Sequence, residues 1–423
     1  MTCVAFGAAS AAAAQSPALP QLSLGEVIER ALTVSPLVAS GNGGVQVARS
    51  FKRTTIGAYM PTIVATSANT RAGPIPAVAG GSATPSSSQT YGVAAAIDLF
   101  TGGRRAANEA LARADLRAAG STLISDRFVV ALTAQQSFFE VVRAEGLVNV
   151  ARGALAEANQ LLRYTTDMFR AGTVTKSDLL RAQLQSTTMQ EQLLAANDTL
   201  LTASYALGWI AGADGPVSVR DDSATEAIRP LALDDSSIVR LAVDASPSVA
   251  VAEDALAASN AALRAARTQY VPTITANAGR NWAGSQTVVT GAPRPGWTVV
   301  VGTSYPLFNG FQREDAVTRS QAAAYVARVS AADTRRSVRA SAAQLLGALS
   351  TTMASIDLAT ESVHSATEDL RVQTLRYRAG ISTMLDVLTS EAALLQAEHG
   401  LSGARHRYHT TRAALEALVG RAL

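Results

Sequence analysis

The sequence predicts an α+β fold that is mainly helical and internally duplicated. First, the segment Tyr377–Leu388 resembles the earlier segment Phe169–Leu180, and the two lie 208 residues apart. Second, a long proline-free stretch typical of helix precedes each copy. Third, segments of alternating apolar and polar residues, typical of strands, precede each long stretch. Landmarks that recur in the same order indicate that one structural unit has been repeated.

Composition limits the class of protein. The 423 residues suffice for two or three ordinary domains or for one elongated domain. The net charge of +3 is too small to indicate a nucleic-acid partner. Aromatic residues make up only 5% of the chain, whereas the abundant alanine allows long helices to pack closely. Cys3 is the single cysteine, so an internal disulfide is excluded.

The N-terminal segment, residues 1–20, is predicted to be the remnant of an export signal; a disordered alanine-rich tail is the alternative. Residues 1–14 are uncharged and mostly small, and Ala12–Ala14 precede Gln15 in the manner of a signal-peptidase site. The basic segment that usually opens such a signal is missing, which suggests a start upstream of Met1. After this segment no run of about 18 apolar residues occurs, so no transmembrane helix is predicted.

Two structural repeats are predicted, at 21–210 and 231–423, with a linker at 211–230 that contains glycine, proline and aspartate. Each repeat has the order helix, strand, loop, strand, very long helix, break and helix. Long antiparallel coiled coils are expected from the apolar residues spaced seven apart along the long helices. The strands are predicted at about 62–71, 88–100, 273–282 and 296–308.

The alternating strands place apolar side chains on one face and small or polar side chains on the other. Aromatic residues near the strand ends are candidates for the girdle that lines a membrane boundary, and they are Tyr91, Trp282, Trp297 and Tyr305. Tyr59 and Tyr270 precede prolines at helix-to-strand junctions. They belong either to the girdle or to the packing of the corner, and the sequence leaves both open.

The four strands of one chain cannot close a barrel, and an open sheet with an apolar face would leave its edges unpaired. Outer-membrane barrels have an even number of strands that alternate apolar-out with polar-in. A homotrimer would supply 12 strands and a closed ring. Its inner face would carry threonine, glycine, alanine, Asp98 and Ser304, which is consistent with a wet lumen.

From about residue 22 to residue 418 the chain resembles the TolC family of outer-membrane efflux and secretion channels. The resemblance is carried by the duplication, by the strand-ending segments Leu99–Gly102 and Leu307–Gly310, and by Tyr377–Leu388. It implies a homotrimer with a 12-stranded transmembrane β-barrel and a periplasmic α-helical barrel. It also implies a periplasmic adaptor and an inner-membrane pump as partners, and an exit duct for small molecules or secreted proteins rather than an enzyme.

The resemblance assigns the two helix breaks to the periplasmic tip, where adaptor hairpins contact the channel. The docking turns would contain Gly172, Thr173, Gly380 and Ile381. A glycine suits such a place because it accepts positive φ and allows another backbone to approach. The alternative is that each glycine only caps the preceding helix.

The resemblance also implies a gate at this tip. Asp178 and Tyr377 match residues that link helix pairs, and Asp386 matches a position that threefold symmetry turns into an acidic ring. Ser382 stands where the family often has an arginine, and Thr389 where a second acidic residue can occur. The latch is then weaker, or is made by another residue, for which the candidates are Arg378 and Lys176. For both aspartates the alternative is capping of the following helix.

No catalytic motif, metal site or cofactor site is predicted. His406 and His409 lie three apart on a helix without an obvious third ligand, so a solvated helix surface is expected instead. Two other functions remain open: a structural or adhesive coiled-coil protein of the cell envelope, and a periplasmic adaptor. The residues do not identify the substrate, which could be a drug, a metal ion or a secreted protein.

Overall fold

The computed structural model describes residues 19–73, 86–220, 227–286 and 294–423. Most of the predicted export signal and the middle of each predicted loop between strands lie outside these ranges. The helices are α1 Leu24–Val34, α2 Pro36–Gly57, α3 Arg104–Arg170, α4 Lys176–Ile210, α5 Asp235–Ala245, α6 Pro247–Arg267, α7 Gln312–Arg378 and α8 Met384–Val419. The strands are β1 Gln21–Leu22, β2 Thr62–Ala72, β3 Ser86–Phe100, β4 Ser218–Val219, β5 Thr273–Gln286 and β6 Arg294–Ser304.

The two longest helices, α3 and α7, are 67 residues each and start 208 residues apart. At 1.5 Å per residue each spans about 100 Å. Many of the residues that α3 buries are alanines, among them Ala112, Ala134, Ala144 and Ala158. Small side chains at the contact allow close helix packing, and α3 packs against α4 as α7 packs against α8. The predicted antiparallel helix pairs are therefore confirmed.

The long strands of both repeats form one antiparallel sheet, with the strand order β2-β3-β5-β6. The end of β6 differs from the sequence prediction, which continued this strand to residue 308. The strand ends at Ser304 because Pro306 has no N–H to donate to a ladder. In the first repeat Asp98 occupies the position equivalent to Pro306, and there β3 continues to Phe100.

A second, two-stranded sheet was not predicted. β1 pairs in parallel with β4, so that Gln21 lies opposite Ser218 and Leu22 opposite Val219. The pairing ties the start of the first repeat to the linker between repeats. A two-residue strand shows no periodicity, which is why the sequence assigned Leu22 to helix and 218–219 to an irregular linker.

Three apolar clusters form the described core. One lies in the first repeat around Phe138 and Leu207, and one in the second repeat around Ile238 and Tyr408. The third joins both repeats beside the helix breaks, and its buried members are Leu161, Ala182, Leu370, Tyr377, Met384, Val387 and Leu394. This third cluster, called the tip cluster below, brings α3, α4, α7 and α8 together.

Candidate functional site

Both helix breaks end the preceding helix in the same way. Gly172 and Gly380 have φ of +76° and +73°, a left-handed backbone that glycine adopts without the cost of a Cβ. Three residues past the helix, the Thr173 N–H donates to the Met168 carbonyl at 3.0 Å, and the Ile381 N–H donates to the Arg376 carbonyl at 2.8 Å. These bonds satisfy carbonyls that the helix end would otherwise leave unpaired. The capping role of both glycines is confirmed.

The following helices also begin alike. Thr175 caps α4 and Thr383 caps α8, and each threonine exchanges hydrogen bonds with an aspartate three residues later, Asp178 or Asp386. Such a capping box satisfies two backbone donors at once. The backbone hydrogen bond from Thr383, helped by its hydroxyl, holds the pKa of Asp386 below its usual value. The capping alternative is thus confirmed for both aspartates, and their role in a gate stays a prediction.

The aromatic residues before the two glycines differ in environment. Tyr377 is 4% exposed and belongs to the tip cluster, whereas Phe169 at the equivalent position is 39% exposed. The buried hydroxyls of Tyr377 on α7 and Thr165 on α3 lie close to each other. Burial raises the pKa of Tyr377. An Asp178 carboxylate oxygen lies 3.7 Å from a guanidinium nitrogen of Arg181 on the same helix.

Arg378, one of the two alternative latch residues, does join the repeats. Its guanidinium carbon lies 5.3 Å from the ring centroid of Tyr164, and the Tyr164 hydroxyl donates to the Arg378 carbonyl at 3.2 Å. The rings of Tyr164 and Tyr377 meet edge to face at 6.3 Å. A cation over a ring face is attracted by the ring quadrupole. Sequence reasoning missed Tyr164, since no motif or spacing distinguishes it.

The remaining predicted residues of the tip are exposed or satisfied locally. Gly172, Thr173 and Gly380 are exposed, and Ile381 is 68% exposed. The Ser382 hydroxyl donates to the Gln373 carbonyl at 3.3 Å, and the Thr389 hydroxyl to the Leu385 carbonyl at 2.9 Å. A surface of turns with one apolar side chain exposed can receive another protein segment.

A cavity of about 460 Å³ lies between α3, α4 and α8 beside the tip. Gln185 on α4 donates to Glu391 on α8 at 2.9 Å. Burial raises the pKa of Glu391 to about 7; the hydrogen bond from Gln185 opposes the shift and the charge of Glu157 adds to it. Burial also raises the pKa of Glu157 and of Glu398. Sequence analysis did not predict this acidic group, because Glu157 on α3 meets Glu391 and Glu398 on α8 only through tertiary packing.

The predicted aromatic girdle is resolved into two places. Tyr91 lies directly opposite Trp282, and Trp297 lies opposite Arg280, so all four share one face near the loop end of the sheet. Tyr305 does not share their strand surface, because β6 ends one residue before it. It lies at the helix end, where the guanidinium carbon of Arg313 is 5.9 Å from its ring centroid.

Tyr59 and Tyr270, which precede prolines at the helix-to-strand junctions, make two equivalent contacts. The guanidinium carbon of Arg105 lies 5.0 Å from the Tyr59 ring centroid, and that of Arg313 lies 5.0 Å from the Tyr270 ring centroid. Each arginine comes from the first turn of the long helix that follows the strands. Both tyrosines therefore contact the corner between helix and sheet, but they are 47% and 42% exposed, so a place in the girdle stays a prediction.

Comparison with solved structures supports the fold. The chain superposes on CusC, with TM-score 0.83, 19% identity and coverage of 95% of this chain and 93% of that one. For VceC of Vibrio cholerae the TM-score is 0.79 and the identity 19%, with 94% of this chain and 96% of VceC covered. For CmeC of Campylobacter jejuni the TM-score is 0.81 and the identity 17%, with 94% of this chain and 85% of CmeC covered. VceC is described as an outer membrane protein and CmeC as an outer membrane channel. No curated sequence gives a significant match.

The described residues contain neither a membrane-spanning helix nor a cluster of metal ligands. None of the helices in these ranges is long and apolar enough to span a bilayer. The same ranges contain no group of three or more histidine, cysteine or acidic residues that could hold a metal ion.

The family is shown by the sequence itself. A sequence model described as outer membrane efflux protein matches residues 7–213 and 238–421, which is most of the chain and includes both repeats. The expected resemblance to TolC-like channels is therefore confirmed, and with it the outer membrane as the location. The chain belongs to the outer membrane efflux protein family.

Proposed function

We propose that three copies of this chain form an outer-membrane exit channel of a tripartite efflux pump or a type I secretion system. The observation that carries the proposal is a four-stranded sheet with one apolar face and one polar face, whose edges β2 and β6 are unpaired in the described chain. Because the strands alternate in direction, β6 of one copy runs antiparallel to β2 of the next. Three sheets can then close into a 12-stranded barrel without a free edge.

The polar face of the sheet suits a water-filled passage. Its side chains include Thr66, Asn277, Asn281 and Thr298, with Asp98 at the helix end. Facing a lumen, these groups can stay hydrated while the opposite face contacts lipid. The long helices of each copy would continue the barrel as a tube in the periplasm. The passage would carry small molecules or secreted proteins from the periplasm to the exterior.

Planar-bilayer conductance tests this function. Purified protein should insert as a trimer and open as a discrete ion-conducting channel. A folded, membrane-inserted trimer without conductance under any gating condition would contradict the proposal. That result would favour the alternative of a structural or adhesive envelope protein. A soluble protein that neither trimerises nor inserts would favour a periplasmic adaptor.

The exposed turns around Gly172, Thr173, Gly380 and Ile381 would dock a periplasmic adaptor, which connects the channel to an inner-membrane pump. The support is that both turns are preorganised by capping hydrogen bonds and that the Ile381 side chain is exposed. Replacing Ile381 by Asp should reduce site-specific crosslinking to the adaptor and reduce efflux, while Ile381→Val should retain both. Unchanged crosslinking in the Asp variant would rule out docking at this turn.

The same tip would contain the gate, with Asp386 as an acidic ring and Asp178, Tyr377, Ser382 and Thr389 around it. Capping and ring formation are compatible for Asp386, since the capping bonds from Thr383 both use Oδ2 and leave Oδ1 available. Three carboxylates around one axis would attract multivalent cations. Asp386→Asn should weaken block of the conductance by such cations, and unchanged block would refute the ring.

A further inference from the structure

The apolar face of the sheet is organised in rows, because directly opposed residues of paired strands share a face. From the helix end towards the loops, one row contains Ala95, Ala278 and Val299, and the next contains Ala65, Val93, Arg280 and Trp297. The third row contains Ser67, Tyr91, Trp282 and Pro295, and the fourth begins with Asn69 and Gln89. The face thus changes from apolar to polar just beyond the Tyr91 and Trp282 row.

Arg280 is the charged residue within the apolar rows. Its side chain is exposed on this face, and its guanidinium carbon lies 5.4 Å from the ring centroid of Trp282. The contact directs the cation from its own row towards the polar boundary, about 7 Å further along the strand at 3.4 Å per residue. A long cationic side chain at a membrane boundary behaves in this way, with its stem in apolar surroundings and its charge at the interface.

The chain offers Arg280 no carboxylate on this face. Asp98 is the one acidic residue within the four long strands, and it belongs to the opposite face at the helix end. There it pairs with Arg104 at 3.3 Å. By sequence, the loop segments 74–85 and 287–293 contain no charged residue at all. A cation that faces lipid without a counter-ion is costly, so an anion is expected from the membrane.

We propose that Arg280, between Trp282 and Trp297, binds the phosphate of an anionic lipid headgroup in the leaflet next to the loops. The guanidinium can donate two parallel hydrogen bonds to phosphate oxygens, which an ammonium group cannot do. The two indoles and Tyr91 supply the amphipathic rings that settle at the level of headgroups. This inference rests on the proposed function, because it requires the apolar face of the sheet to contact lipid.

The competing explanation is a purely structural pair, in which Arg280 only covers the Trp282 ring. That pair would form equally in a neutral membrane. It would not distinguish a phosphorylated lipid from the same lipid without phosphate. The two explanations therefore differ in whether the phosphate of the headgroup strengthens lipid binding.

The experiment uses the full-length trimer in detergent and counts bound lipid by native mass spectrometry. The probes are bis-phosphorylated lipid A, the same lipid enzymatically dephosphorylated, and inorganic phosphate as a competitor. The wild type should bind the phosphorylated lipid at least about tenfold more tightly than the dephosphorylated one, which corresponds to about 1.4 kcal/mol. Inorganic phosphate at the same concentration should not displace it, because the rings also hold the lipid.

Arg280→Gln should abolish this preference, and Arg280→Lys should restore part of it. Arg53→Gln is the matched control, since it removes the same charge from an exposed position on α2, away from the sheet. Equal preference in wild type and Arg280→Gln, or no preference in the wild type, would overturn the inference in favour of the structural pair. Displacement by inorganic phosphate would show a simple anion site and would also overturn the lipid assignment.

Conductance recorded on the same preparations distinguishes a failure of the lipid site from a failure of the proposed channel function. A conducting trimer without phosphate preference contradicts the lipid site alone. A protein that neither trimerises nor conducts contradicts the proposed function first. Arg280→Gln itself should conduct like the wild type, because the side chain lies on the face away from the lumen.

Discussion

Gly172 and Gly380 adopt almost the same backbone, with φ of +76° and +73°, yet the aromatic residues three positions before them differ in burial. Phe169 is 39% exposed, whereas Tyr377 is 4% exposed within the tip cluster. Both turns have the same caps and the same length. The local sequence therefore determines the backbone conformation of each break, while the surrounding helices determine how deeply its aromatic side chain is buried.

The second break also carries the contact between repeats. Arg378 follows Tyr377 and covers the Tyr164 ring from α3, while the described contacts of its counterpart Arg170 are with Asp167 on the same helix. The second break is thus anchored by a buried ring in the tip cluster, whereas the first break contacts that cluster through the partly buried Met168 and Val174.

Truncation of the two aromatic residues should have unequal effects. Tyr377→Ala removes a buried ring from the tip cluster and should lower the free energy of unfolding by about 3 kcal/mol. Phe169→Ala removes a partly exposed ring and should cost less than about 1 kcal/mol. Denaturation in detergent followed by circular dichroism measures both. Equal losses in the two variants would contradict the asymmetry.

The buried carboxyl beside the anchored break should make stability depend on pH. In the folded protein Glu391 keeps its proton up to about pH 7, while its ordinary pKa in an unfolded chain is 4.5. Because the folded state binds more protons between these values, stability should fall as the pH rises from about 4.5 to 7 and then level off. The full effect is up to about 3 kcal/mol, at 1.36 kcal/mol per pKa unit.

Glu391→Gln keeps the shape of the side chain and removes the titration. It should stabilise the protein at pH 8 and change little at pH 4.5, as measured by the thermal midpoint in detergent. Glu361→Gln, an exposed position on α7, is the matched control and should leave the pH profile unchanged. A profile in Glu391→Gln that still falls between pH 4.5 and 7 would assign the effect to another group.

The two glycines should respond alike to alanine. A Cβ built on Gly172 or Gly380 meets no other atom of the chain, so each substitution costs only the strain of a left-handed backbone, about 1–2 kcal/mol. Thermal midpoints of Gly172→Ala and Gly380→Ala compared with the wild type measure this cost. A much larger loss in one variant would mean that packing, and not local backbone geometry, also differs between the turns.

Much of the fold was predictable because it is encoded locally. The duplication, the strand that ends in Phe100, the capping glycines and the capping aspartates each depend on a few neighbouring residues. The early end of β6 is also encoded locally, by Pro306. The sequence prediction missed it because the strand was extended to match its counterpart in the first repeat. The duplication therefore predicts the order of helices and strands well, and the ends of individual strands less well.

The contacts between helices could not be predicted. Nothing near Tyr164 in the sequence points to Arg378, which lies 214 residues away, and Gln185 meets Glu391 across 206 residues. The raised pKa of Glu391 likewise depends on burial by helices from both repeats. At the tip, Arg378 and Tyr164 form a described contact between the repeats, and the linking role of Asp178 and Tyr377 stays a prediction.

Closure of three sheets into one barrel can be tested at the edges β2 and β6. After replacing Cys3, the only native cysteine, by serine, a cysteine at Ala65 is combined in turn with one at Val299, Val300 or Val301. Within one chain β2 and β6 are separated by two strands, about 14 Å at 4.8 Å per strand, which is too far for a disulfide. Oxidation in membranes should therefore produce covalent trimers in at least one combination. Membrane-inserted protein that stays monomeric, or stops at dimers, in every combination would contradict the account.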